Sequence, residues 1–127
     1  MSFEIIDPLR LYQSNGQVSQ LSNARLAAAV ANDQVIIAAV TGKRHRIMGW
    51  LIQSGGAGTT TISLKSNPAG STLFGPFLLL ANTAGTLTHL PIVDSGYAET
   101  STGHSLVADV VTTGANIHIF YITYTPV

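Results

Sequence analysis

The chain has no cysteine, and that alone removes disulfide frameworks, thiolate metal sites and cysteine nucleophiles. It has little charge: Asp, Glu, Lys and Arg make up 9% of its 127 residues, where soluble domains carry about a quarter. Six acidic and six basic side chains cancel. A neutral chain projects no long-range field, so neither nucleic acid nor an acidic membrane surface is an expected partner. No apolar run approaches the ~20 residues that cross a bilayer. Met1-Ser2-Phe3-Glu4 lacks the basic region and apolar run of a secretion signal, so a soluble protein made in a cytoplasm is expected.

What is present is apolar and β-forming, with 46% hydrophobic residues amid abundant Thr, Ser and Gly. One domain of this length buries enough surface to need no metal or cross-link. A surface this poor in charge favours contact between copies. From Gln34 onward the pattern is β throughout. Val35–Val40 and Ile47–Ile52, which holds the single Trp50, are almost continuously apolar. With Thr41-Gly42-Lys43-Arg44-His45-Arg46 between them, they read as a central β-hairpin whose tip carries a basic group. Lys43, Arg44 and Arg46 are candidates for docking on an acidic patch of a partner.

Thr59–Ser66 alternates as a half-buried strand does, and Leu73–Leu80 contains Gly75-Pro76, which predicts an edge strand or a kink. Leu87–Ile92, Leu106–Thr112 and Asn116–Thr125 complete the later strands, with Tyr97–Ser101 irregular. Val18–Asp33 reads as a strand pairing with Val35–Val40, in preference to a short helix through its alanines. The spacing predicts an all-β protein: an antiparallel β-sandwich, jelly-roll-like, with about eight strands over residues 18–127. Residues 1–17 form a separate N-terminal arm, interrupted by Asp7-Pro8 and ending near Asn15-Gly16. Its apolar Phe3, Ile5, Ile6, Leu9, Leu11 and Tyr12 need cover from a neighbouring copy, a partner, or the domain itself. In the last strand Ile117, Ile119 and Tyr121 share one face, while His118, Phe120, Ile122 and Tyr124 share the other. Aromatics on both faces point to an outer face that meets another copy, the alternative being that loops or the N-terminal arm cover it.

No chemistry-bearing motif emerges. The glycines of Gly55-Gly56-Ala57-Gly58 have no following helix to cradle a phosphate, and no Gly-x-Ser-x-Gly occurs. His45, His89, His104 and His118 lack metal-ligand spacing, so no metal and no cofactor are expected. Asp94 and Glu99 flank one loop, but only Tyr97 lies between them as a sugar platform, and no enzymatic activity is expected.

Three stretches, VIIAAVTGKRHRIMGWLIQ (Val35–Gln53), TTTISLKS (Thr59–Ser66) and GPFLLLANTAG (Gly75–Gly85), together with YAETSTGHSLVADV (Tyr97–Val110), resemble jelly-roll virion proteins of tailed bacteriophages, of the head decoration or cement type. The resemblance spans about residues 24–125 and leaves the arm outside. It implies a homotrimer on the outer head surface of the virion, bound to the major capsid protein and tying capsomers together. A second reading is a receptor- or glycan-binding tip of a head or tail fibre, with Tyr97 and His104 facing a host-surface glycan.

Overall fold

The structure, a computed structural model, describes residues 11–14, 17–55, 58–68, 70–80, 87–93 and 95–126; for 11–14, 17–19 and 87–90 the description is of the backbone. The architecture is all-β. Eight antiparallel strands form two four-stranded sheets. The first sheet has the order β4 (Ala31–Ile37), β10 (Ser105–Val111), β6 (Thr60–Asn67), β7 (Ser71–Leu79). The second runs β3 (Ser22–Ala28), β11 (Ala115–Tyr124), β5 (Arg44–Ser54), β8 (Leu87–Leu90), with the two-residue β9 (Ala98–Glu99) also on β5. The eight strands change sheet at every step along the chain except from β6 to β7, which pair as a hairpin, and the resulting order is that of a jelly roll. β1 (Leu11–Ser14) and β2 (Gln17–Gln20) form a separate hairpin.

The core lies between the sheets. Ile62 and Leu64 of β6 and Leu106, Ala108 and Val110 of β10 meet Trp50 and Ile52 of β5 and Ile117 and Ile119 of β11. Trp50 sits edge-on to Phe74, with ring centroids 4.6 Å apart, and stacks near Phe77 at 5.8 Å. β6 alternates buried and half-buried residues along its whole length, as its sequence predicts. β7 is an edge strand, where the missing N–H of Pro76 is tolerated. Gly75 there has φ of +95°, and a Cβ would lie 2.6 Å from the Ile62 carbonyl oxygen, so only glycine fits beside the register shift in β6–β7.

Two sequence expectations are corrected. Val35–Val40 and Ile47–Ile52 do not pair. β4 ends at Ile37 and is an edge strand of one sheet, whereas β5 is an inner strand of the other. The turn at Thr41-Gly42 exists, with Lys43 N–H donating to the Val40 carbonyl, but it carries the chain across the sandwich. His45 pins this crossing: its Nε2–H donates to the Ala38 carbonyl and its Nδ1 accepts from the Thr123 hydroxyl, each at 2.8 Å. A carbonyl can only accept, which fixes that tautomer.

The strand expected within 18–33 is β3, but it pairs with β11, not with β4. Asn32 and Asp33 fall inside β4, and the bend lies at Ala29 and Val30, closed by the Gln34 side chain on the backbone of Ala29 and Ala31. Within residues 1–17, β1 pairs antiparallel with β2, whose first residue is Gln17. Phe3, Ile5, Ile6 and Leu9 lie outside the described residues; the backbone of Leu11 and Tyr12 runs in β1.

His45 also makes the fold pH-sensitive. Burial holds its pKa below the ordinary 6.5, only partly offset by the Ala38 hydrogen bond. Below 6.5 the unfolded chain takes up a proton that the folded chain resists, so unfolding is favoured. The contribution of His45 is whole above that value and is lost as pH falls through the lowered folded one. Urea unfolding at stepped pH is expected to show stability declining below 6.5, with a shallower decline in His45→Gln.

Candidate functional site: the outer sheet faces

With the interior closed by apolar side chains, the groups that can act are on the two outer faces. On the second sheet, β11 sends His118, Phe120, Ile122 and Tyr124 outward, opposite Ile117 and Ile119, as its alternation predicts. A bulge in β5 keeps the strands in phase. Phe120 pairs with Gly49 and Tyr121 with Ile47, leaving Met48 as the extra residue.

The outer face divides into two halves. At one end Met48, Ile122 and Tyr124 form a second small cluster, against which Leu21 packs just after β2. Ile122 and Tyr124 are 1% and 2% exposed, so the chain covers them itself. They cannot offer contact area to another copy, which corrects their assignment to an interface. His118 and Phe120 remain half-buried, with rings stacked at 5.0 Å.

The expected basic tip is likewise spent within the chain. Glu99 receives Arg44 at 3.0 Å and Arg46 at 3.2 Å and accepts the Tyr124 hydroxyl. Arg46 also lies over the Tyr124 ring, 4.9 Å from its centroid. Burial works against the Glu99 charge, but these donors outweigh it and hold the carboxyl below its ordinary value. Lys43 donates to the Thr125 hydroxyl at 2.9 Å. Lys43, Arg44 and Arg46 therefore clamp β5 to β9 and to the end of β11. As a docking site they would first have to surrender these partners.

At the other end of this face, Arg25 and Ala27 of β3, Asn116 and His118 of β11, and Leu51 and Gln53 of β5 line a shallow trough of about 260 Å³. Register sets His118 between Arg25 and Leu51.

The first sheet has a different outer face. Lys65 bridges Asp33 at 2.7 Å and Asp109 at 2.8 Å, so one cation is shared between two carboxylates. Ser63 and Thr72 adjoin this trio and Val107 beside it is fully buried, while exposed apolar side chains lie to either side. Val111, Thr61 and Leu78 are direct neighbours across β10, β6 and β7, and Val35 neighbours Val107 at the opposite edge. Val35, Leu78 and Val111 are 53%, 62% and 52% exposed. Sequence reading missed this face, because a Val or Leu in a strand-like run signals burial until the sheet edge and partner are known.

Among the described residues no three His, Asp or Glu side chains converge as a metal site, and no helix is long and apolar enough to cross a membrane. Asp94 lies outside the described residues, so its pairing with Glu99 is not described; Glu99 itself is occupied by two arginines and a tyrosine. Tyr97 donates to the Pro91 carbonyl and His104 Nδ1 meets the Ser66 hydroxyl at 3.0 Å, so each of these two glycan candidates is engaged locally. No protein-family model matches the chain, and no curated protein sequence matches it.

Proposed function

We propose that this chain is a structural virion protein, a capsid decoration or cement protein that trimerises on the outer head surface and stabilises contacts between capsomers. The observation that carries the reading is the exposure of Val35, Leu78 and Val111 on the outer face of the first sheet, in a chain with only 9% charged residues. Large exposed apolar side chains gathered on one sheet face are where association surfaces form. Cementing requires area and no reaction: a stable interface removes about 800 Å² per partner from water. A trimer holding several shell subunits at once gains avidity without a new type of contact. The resemblance of Val35–Gln53, Thr59–Ser66, Gly75–Gly85 and Tyr97–Val110 to decoration proteins supports the same reading, as does the apolar composition of residues 1–10.

Mass measurement by light scattering tests the trimer: three times 13.3 kDa is expected, and a monomer at high concentration would refute it. Co-sedimentation with capsids tests the location. Removing residues 1–10 spares β1 and is expected to lower capsid occupancy; full occupancy by the truncated protein would exclude a gripping role for that segment.

A further inference from the structure

Two polar groups in the trough on the second sheet, the Arg25 guanidinium and the His118 Nε2 atom, have no polar partner among the described residues. Among the described residues Lys65, Arg44 and Arg46 each pair with a carboxylate, and Lys43 has a hydroxyl. Arg25 has no ion-pair partner there, although it stands in direct register with His118. The His118 Nε2 atom is enclosed yet makes no hydrogen bond. A buried polar atom without a partner costs about 1–3 kcal/mol, so its retention needs a reason. Beside these two groups stand the amides of Asn116 and Gln53 and the apolar surface of Leu51, with Phe120 stacked against His118.

We propose that this trough binds a carboxylated monosaccharide unit, a uronic-acid or sialic-acid type of sugar. The Arg25 guanidinium matches a carboxylate in two-point geometry. The exposed Asn116 amide serves a ring hydroxyl as donor and acceptor, and the enclosed His118 Nε2 gains one once the side chains over it move aside for the sugar. Leu51 and the edge of the His118–Phe120 stack take the C–H face of the ring. The volume, about 260 Å³, falls just below the ~300–1,000 Å³ of sites for drug-sized ligands, which suits a single sugar ring and not a long chain. An acidic peptide side chain would satisfy Arg25 alone and leave His118 and Asn116 unmatched. The site is independent of the bare face of the first sheet, so it adds an adhesive role to the proposed decoration function without replacing it.

The test is two-dimensional NMR titration of the full chain with glucuronate, N-acetylneuraminate, glucose and glutamate in parallel. One or both acidic sugars are expected to shift amide signals around Arg25, Asn116 and His118 at millimolar concentration, with glucose and glutamate at least about tenfold weaker, as loss of a charge-assisted pair or of the hydroxyl contacts requires. Arg25→Gln, at an exposed position, is expected to leave the spectrum elsewhere unchanged and to abolish the acidic-sugar shifts. The proposal is overturned by silence from both acidic sugars, by glutamate or glucose binding equally, or by undiminished binding to Arg25→Gln. Each of these outcomes leaves the trimer and capsid measurements untouched.

Discussion

Trp50→Ala is expected to cost about 3–5 kcal/mol of folding stability. The indole is 6% exposed and fills the space between β5 and β7, edge-on to Phe74 and stacked near Phe77. Removing it forfeits the transfer energy of the ring and opens a cavity at the centre of a close-packed sandwich. A domain with a typical reserve of about 5–15 kcal/mol would lose much of it. Trp50→Phe is expected to cost well under half as much, because the Trp50 Nε1–H has no hydrogen-bond partner to lose. Urea unfolding followed by circular dichroism measures both. Equal losses for Ala and Phe would show that the indole nitrogen, and not packing, is what the site needs.

Paired Leu78→Asp and Val111→Asp substitutions are expected to do the opposite: to spare the fold and remove association. Both side chains are more than half exposed and flank Thr61 on the outer face of the first sheet. Surface changes of this kind alter stability by about 0.5 kcal/mol each. At an interface, however, two carboxylates without partners would have to be desolvated, at several kcal/mol together. Because each trimer would carry three copies of the change, avidity multiplies the loss. The expected result is a chain with a melting temperature close to the parent and capsid occupancy reduced to background. Full occupancy would exclude this face as the contact surface and leave the second sheet as the alternative.

The two results together separate what holds the subunit from what the subunit holds. Trp50, Ile62, Leu64 and Ile117 are consumed inside the sandwich. Val35, Leu78 and Val111 are surplus to it. Composition alone shows the surplus, since so apolar and charge-poor a chain cannot bury everything, but it does not say which residues are left over.

Much of the architecture was legible from residue order. Alternation in Thr59–Ser66 predicted β6, Gly75-Pro76 predicted an edge strand or a kink, and the two-faced apolar pattern of Asn116–Thr125 predicted β11, because side-chain direction along a strand is a local property with a period of two. Pairing is not local. The turn at Thr41-Gly42 is compatible with a hairpin and with a crossing between sheets, and His45, bound to Ala38 and Thr123, selects the crossing. The outward direction of Ile122 and Tyr124 was likewise readable, but not that Leu21 and the Glu99 clamp would cover that half of the face. Nor could spacing show Arg25 beside His118, which lie 93 positions apart and meet only through the β3–β11 register. The sequence by itself determined strand identity, strand faces and a charge-poor apolar surface, since each follows from neighbours along the chain. Only the tertiary structure decided which strands share a sheet, which cations are already paired and which apolar residues stay bare, because those depend on contacts between segments that the chain brings together from far apart.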